Sequence, residues 1–355
     1  MAPLGWSIDR LIGHLSRGLH VRRTKLNTVS DLGRYLGAPP AILFPAPGAP
    51  AGVRRAKSCL PVGRGRQLEV LHWRSQHVPL CPRYQDRHAG PYATNQTASA
   101  RWIHAQSGPG RRALVYIHGW LEPGPWPEQF FFLPRVSDAL GVDVLHVQLP
   151  FHGERNPRGS LFHGEFFWTA DLVRSIEAVR QSCIDARSLV AWLGQQGYVE
   201  VGVTGFSMGA SIAMILACLE PTPDYVIPIV GHLQLSDAIE NAPIFWRMKA
   251  DLERFGIDRD GRKEIFDELG LERMRPVLPP ERQLWIMARD DAYVTAARVE
   301  EQWRAWHRPP IEWIPGGHMT FAFSLPHIIR RMKEFHAGLS APAPVRMAAL
   351  HSPVA

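Results

Sequence analysis

No apolar run in the chain approaches the ~20 residues that a helix needs to cross a bilayer, so no transmembrane segment is expected. The N-terminus has no compact apolar core of the kind that marks a secretory signal. A cytoplasmic location is therefore the expectation. Cysteine is scarce: Cys59, Cys81, Cys183 and Cys218 are the four in 355 residues, scattered without metal-type spacing. Cys183 and Cys218 fall in helix-like runs and read as buried thiols rather than disulfide partners, which suits a reducing compartment. Zinc-finger, RNA-recognition and basic-zipper patterns are missing, so nucleic acid is not an expected partner. No internal repeat is found.

The length and a hydrophobic content of 45% suit one large domain, or two smaller ones, with a sizeable core. The net charge of +7 is uneven: residues 1–66 hold eleven Lys or Arg against Asp9 and Asp31, a net +9, which leaves about −2 for the remainder. The basicity belongs to an N-terminal extension, residues 1–65. Within it Ile8, Leu11, Ile12, Leu15 and Leu19 recur at helical spacing, with Arg10, His14, Arg17 and His20 opposite. Such a helix either docks on its own domain or rests on an anionic membrane surface through residues 6–20. Gly37 to Gly65 is rich in Pro, Gly and Ala and reads as an irregular linker or a loop wrapped on the body. Residues 337–355 read as a flexible tail.

Between these ends, strand-like and helix-like runs alternate. The strands are expected at Gln67–Trp73, Arg101–Gln106, Ala113–Ile117, Val142–Gln148, Val199–Thr204, Tyr225–Val230, Gln283–Ala288 and Ile311–Ile314. The helices are expected at Pro134–Leu140, Asp171–Leu193, Ser207–Leu219, Ala296–Trp306 and Ser324–Phe335. In the long helix, Leu172, Ile176, Val179, Cys183, Ala186 and Val190 mark an inward stripe, with Thr169 as the N-cap. The alternation predicts an α/β domain over residues 66–336, with a mainly parallel eight-stranded sheet flanked by helices. Ser236 to Pro280 interrupts it with apolar anchors among many charges, and reads as a small helical lid.

Gly205-Phe206-Ser207-Met208-Gly209 stands at a strand-to-helix junction, the layout of a nucleophile elbow. Serine needs a base within hydrogen-bond reach. The candidate is His318, in Pro315-Gly316-Gly317-His318-Met319 just after a strand-like run. The histidine in turn needs an anion, for which Asp290 and Asp291 both stand after the strand Gln283–Ala288. An oxyanion needs backbone donors, and the N–H groups of Met208 and of Trp120, in His118-Gly119-Trp120, are the candidates. His118, Gly119, Phe151 and His152 are candidate pocket residues, although His152 serves equally well as a brace for its loop. Arg155 and Arg158 could meet an anionic headgroup, with ion pairing the simpler account. Trp120, Trp126, Phe130, Phe131, Phe132, Phe151, Phe162, Phe166, Phe167 and Trp168 crowd the predicted entrance, some of them as core.

These motifs, in this order, resemble the alpha/beta-hydrolase superfamily over roughly residues 65–336. Leu149-Pro150-Phe151-His152-Gly153-Glu154-Arg155 also resembles a loop of its abhydrolase domain-containing protein 18-like branch. The resemblance favours Asp291 over Asp290, because Asp291 stands three residues before Val294. It disfavours haloalkane or epoxide chemistry, which uses aspartate where Ser207 stands. It implies a serine hydrolase that cleaves lipophilic carboxylic esters through an acyl-enzyme, with Ser207, Asp291 and His318 as triad and no metal or cofactor. The expected partner is a small-molecule or lipid ester. Two alternatives stay open: an acyltransferase or amide or thioester hydrolase with the same triad, and a non-catalytic membrane-associated binding protein on a hydrolase frame.

Overall fold

The computed structural model describes residues 4–58, 62, 66, 68–105, 111–122, 124, 128–219 and 221–339. Nine strands form one sheet: β1 (Arg54–Lys57), β2 (Leu68–Arg74), β3 (Thr97–Ile103), β4 (Arg112–Ile117), β5 (Asp143–Val147), β6 (Glu200–Phe206), β7 (Tyr225–Ile229), β8 (Trp285–Ala288) and β9 (Ile311–Ile314). Their order is β1-β2-β3-β5-β4-β6-β7-β8-β9. From β5 to β9 every pairing is parallel. The pairings β1–β2, β2–β3 and β3–β5 are antiparallel. The sheet therefore has one strand more than the eight expected. The extra one, β1, is Arg-Arg-Ala-Lys, exposed throughout. A short basic edge strand has no apolar alternation to betray it, and such edges discourage pairing with other chains. β3 also begins four residues earlier than expected, in the small-residue run Thr97–Ala100.

The helices are α1 (Leu4–Leu15), α2 (Pro40–Leu43), α3 (Pro82–Ala89), α4 (Leu133–Leu140), α5 (Leu172–Gln195), α6 (Met208–Ala217), α7 (Leu235–Asn241), α8 (Trp246–Arg254), α9 (Arg259–Leu269), α10 (Ala296–Ala305) and α11 (Leu325–Gly338). Apolar residues alternate between two cores, one on each sheet face. In β4, Ala113, Val115 and Ile117 join the core that contains α5, α6 and α10, while Leu114 and Tyr116 join the one under α4 and α11. α7, α8 and α9 lie between β7 and β8 in the chain, where the helical insertion was expected.

The stripe on α5 is inward as predicted, but its cap is Asp171, whose carboxylate accepts from the Arg174 N–H at 3.3 Å. Thr169 instead receives the Arg174 guanidinium at 2.7 Å on its hydroxyl. α5 also carries Glu177, Arg180, Asp185 and Arg187, and all four are buried. Asp185 pairs with Arg155, and the N-terminal segment covers the other three. Arg180 donates to the Leu43 carbonyl at 2.7 Å, Arg187 to the Phe44 carbonyl at 2.9 Å, and the Tyr35 hydroxyl to Glu177 at 2.5 Å. Residues 29–57 are thus part of the body and not a linker to it.

α1 docks on a face that the apolar pattern did not indicate. Gly5, Asp9 and Gly13 are buried, Ile8 and Ile12 are half-buried, and Leu4, Leu11, Leu15 and Leu19 are exposed. Three side chains of the predicted apolar stripe therefore remain in water. Small residues spaced by four bring the helix backbone close to its neighbour, which a leucine face cannot do. Cys81 and Cys183 are buried free thiols and Cys218 is a half-buried one; Cys59 lies outside the described residues. The tail beyond residue 339 also lies outside them, and α11 runs through Gly338. No helix among the described residues is long and apolar enough to cross a membrane.

Candidate active site

β6 ends at Phe206 and α6 begins at Met208, so the turn between them is the single residue Ser207. Its φ of 54° and ψ of −114° lie where L-residues are rarely found. Two glycines make the turn possible. A Cβ on Gly209 would stand 1.9 Å from the Ile117 carbonyl oxygen, and one on Gly205 would stand 2.4 Å from the Gly209 backbone. Helix and sheet touch there through main chain alone. The Ser207 N–H is held by the Ile229 carbonyl at 3.0 Å.

The loops after β8 and β9 bring two more groups to this rim. His318 Nε2 lies 2.8 Å from Ser207 Oγ. His318 Nδ1 lies 2.7 Å from Asp291 Oδ2. An Nδ1–H donating to the carboxylate leaves Nε2 free to accept the serine proton. The other Asp291 oxygen accepts the N–H groups of Tyr293 and Val294, each at 2.7 Å. Asp290 is not in this chain of bonds; its N–H donates to the Gly316 carbonyl at 2.9 Å. His318 and Asp291 are both buried. Burial works against a charged imidazole, but the Asp291 carboxylate, with help from Asp9, outweighs it and raises the His318 pKa above the ordinary value.

A cavity of about 210 Å³ opens over Ser207. Ile239 and Phe245 from the helical insertion wall it, with Trp168, Met319 and Ile12 of α1. Trp120 and Met208 line it too. Met208 is the first residue of α6, so its N–H has no carbonyl one turn earlier within the helix. The Trp120 ring is fixed by an indole bond to the Gly164 carbonyl at 2.8 Å and by stacking on Phe245 at 5.0 Å.

The four candidate pocket residues lie behind this wall, not in it. Phe151 is fully buried core, with its N–H bonded to Asn95 Oδ1 at 2.9 Å. His152 braces the loop after β4: Nδ1 faces the Pro150 carbonyl at 2.8 Å and Nε2 accepts the Leu121 N–H at 3.2 Å. Gly119 packs under the Phe206 ring, 3.0 Å from where a Cβ would be. His118 Nε2 accepts the Leu149 N–H at 3.0 Å. Arg155 meets no headgroup, because it is buried and paired with Asp185 at 2.8 Å, whereas Arg158 is exposed. Of the crowded aromatics, Trp120 and Trp168 line the cavity, Phe132 and Phe167 are core, Phe130 and Phe131 are exposed, and Trp126 lies outside the described residues.

A family model described as alpha/beta hydrolase domain containing 18 matches residues 131–240 and 246–335, more than half of the chain. The chain belongs to this family. An uncharacterized Mycobacterium tuberculosis protein, Rv2627c (strain ATCC 25618 / H37Rv), is 26% identical over 259 residues. That alignment covers 67% of this chain and 59% of the relative, so the chain spans about three-fifths of the curated relative it matches. Among solved structures, an acetyl xylan esterase from Paenibacillus sp. R4 superposes with a TM-score of 0.58 at 13% identity, covering 90% of this chain and 98% of that one. Acetyl xylan esterase 1 from Thermoanaerobacterium sp. JW/SL YS485 gives 0.55 at 14% identity, with 94% of each chain covered. At these identities the superpositions establish the alpha/beta-hydrolase fold.

Among the described residues one group has metal-site spacing: buried His118, Glu122 and His146, with ligand atoms within 4.8 Å of one another. The tautomer of His118 does not suit that role. Because its Nε2 accepts an N–H, its Nδ1 carries the proton and faces the Gly119 carbonyl at 2.8 Å and Glu122 at 3.1 Å. A metal ligand needs a free lone pair at that atom. The group is better described as a carboxylate embraced by imidazoles. Burial opposes the Glu122 charge, yet His118 and His146 hold its pKa below the ordinary carboxylate range. Burial, and then the Glu122 charge, push neighbouring Glu128 up to about 8.

Two site residues lay outside the sequence reading. Asp9 of α1 touches the loops of both Asp291 and His318, and the Tyr293 ring packs 5.1 Å from the His318 ring. The available signal for Asp9 was a single acid in a basic helix, flanked four residues away on either side by glycine.

The close approach at the elbow yields a stability test. Gly209→Ala should destabilise the fold by about 3 kcal/mol or more, because the neighbour it meets is backbone and cannot rotate away. Urea denaturation of soluble variant and wild type measures it; equal midpoints would contradict the contact.

Proposed function

We propose that the chain is a serine hydrolase that cleaves lipophilic carboxylic esters. The observation that carries the reading is the bonded series Ser207 Oγ, His318 Nε2, His318 Nδ1, Asp291 Oδ2, with steps of 2.8 and 2.7 Å, at the floor of the cavity. In this mechanism Ser207 Oγ attacks the ester carbonyl carbon while His318 Nε2 takes its proton. Asp291 keeps the imidazole in its tautomer and offsets the imidazolium charge. The N–H groups of Met208 and Trp120 receive the oxyanion. His318 then gives its proton to the departing alcohol. Water, deprotonated by the same imidazole, releases the acid and restores the serine. The apolar walls around Ser207 favour an acyl chain over a polar acid. Two solved neighbours that each cover 90% or more of the chain are named as acetyl xylan esterases, which agrees with ester chemistry.

The exposed leucines of α1 favour a further element of this reading, peripheral contact with an anionic lipid surface. Leu11 and Leu15 project into water from the same helix whose Ile12 lines the cavity, and Arg17, Arg22, Arg23 and Lys25 follow in sequence. A helix lying in the interface would bring the cavity mouth to the lipid.

Ser207→Ala should abolish labelling by a fluorophosphonate probe. Asp291→Asn should lower kcat by about 10³-fold or more, with Asp290→Asn close to wild type in the same p-nitrophenyl ester assay; a reversed ranking would transfer the role to Asp290. The base must be neutral to accept a proton, and its pKa is raised. The acid limb of kcat/KM should therefore fall above the ordinary imidazole value of about 6.5, as a pH–rate profile would show. Leu11→Asp/Leu15→Asp should sediment less than wild type with anionic vesicles, and equal sedimentation would dispose of the membrane contact.

A further inference from the structure

α1 supplies one carboxylate to the interior, and all of its hydrogen bonds in the structure go to the two loops that carry the base and its partner. Asp9 Oδ2 accepts the His318 N–H at 2.7 Å and the Ala292 N–H at 3.0 Å. Asp9 Oδ1 accepts the Met319 N–H at 2.8 Å. The Asp9 carbonyl receives the Tyr293 hydroxyl at 2.6 Å. Asp9 is 0% exposed. We propose that Asp9 is a positioning residue that clamps the loop after β8 to the loop after β9, so that Asp291, His318 and Ser207 stay in line. The inference rests on the hydrolase reading of the same site.

The clamp extends the backbone bonds that already tie these loops where they leave the sheet, from the Arg289 N–H to Ile314 and from the Asp290 N–H to Gly316, out to the reacting groups themselves. Ala292 directly follows Asp291, and Met319 directly follows His318, so each bond acts one residue from a reacting group or on it. The three donors are peptide N–H groups, and a carboxylate, which only accepts, suits them all. The surroundings are built around it. A Cβ on Gly317 would stand 2.3 Å from Asp9 Oδ2, and one on Gly5 would stand 2.4 Å from the Gly317 nitrogen. Gly317 and Gly5 therefore make room for each other where α1 meets the loop. Helix docking alone would not call for a buried acid. Burial pushes the Asp9 pKa up, opposed by the three N–H bonds, so the charge is held at a cost. It also acts on the base. The groups that face His318 are Asp291 and Tyr293 from the loop after β8, Ser207 at the elbow, His232 from the loop after β7 and Asp9 from α1. Burial keeps His232 neutral, with its pKa near 4. Asp9 is thus the second negative charge beside the imidazole, after Asp291.

The test uses full-length wild type, Asp9→Asn and Asp9→Ala, with Ser207→Ala as blank. Asparagine preserves the shape, keeps an oxygen for two of the donors and sets its NH₂ against the third. Asp9→Asn should lower kcat on a p-nitrophenyl ester and slow fluorophosphonate labelling by about 10–100-fold, with KM within about two-fold because the cavity walls are untouched. The acid limb of kcat/KM, and the NMR titration of the His318 ring, should both move to lower pH, since a negative neighbour is lost. Asp9→Ala should fall further; if it does not fold, asparagine carries the measurement. Wild-type kcat and an unmoved His318 titration in Asp9→Asn, with only a lower Tm, would overturn the clamp and leave Asp9 a docking residue. A wild type that neither hydrolyses esters nor labels would defeat the hydrolase reading. In that event a crystal structure of Asp9→Asn decides: displacement of the loops after β8 and β9 relative to Ser207 supports the clamp, and unmoved loops reject it.

Discussion

Main chain meets main chain where α6 leaves the sheet, and everything at the site is arranged around that contact. No side chain fits between Gly209 and the end of β4. Ser207 is consequently forced into a backbone conformation that most residues avoid, with its hydroxyl thrust out over the rim. Such strain persists only where the surroundings over-determine it. Here the ladder bonds of β6 to β4 and β7, the Ile229 carbonyl on the Ser207 N–H and the buried face of α6 do so. The parallel strands then deliver their following loops to the same end, so residues far apart in sequence can converge on one hydroxyl.

Around that centre the polar groups are buried and paired, and the pairing is largely with backbone. Asp291 is held by two peptide N–H groups and an imidazole. His152 and His118 each accept a peptide N–H, which fixes their tautomers and braces the loop that begins at His118. Backbone partners suit a site that must keep its geometry, since they do not change rotamer. On the far side of α5 the same principle operates at larger scale. Arg180 and Arg187 would be costly inside a core, and the carbonyls of residues 43 and 44 make them tolerable.

Much of this was legible in the chain itself. Strand-to-helix alternation, the serine between glycines and the acid and histidine after two later strands each carry a local signature, and each is set by short-range geometry. The errors share a different cause. The cover over the charged side chains of α5 had no local signal, because residues 29–57, which supply it, lie more than a hundred positions earlier. β1 has no apolar pattern, because an edge strand needs none. α1 looked like a helix with a leucine face to bury, yet it is seated by Gly5, Asp9 and Gly13. Apolar periodicity measures how much oil a face carries, not how closely two backbones can approach. His118, Gly119 and Phe151 lie behind the cavity wall rather than in it, and His152 takes the bracing role that was its equal alternative, because sequence position assigns a residue to a loop but not to one side of it.

The bonds from Asp9 to residues 292, 318 and 319 span 283 to 310 positions. They link α1 to the loops that follow β8 and β9. On the ribosome, the helix that carries Asp9 emerges before the strands of the sheet, and its binding surface only after β9. Until then the acid of that helix is without its donors. Closure of so long a loop is a late and slow event. The nascent chain consequently cannot assemble this corner piecemeal, and a product cut off before β8 would keep much of the sheet while lacking the seat for α1.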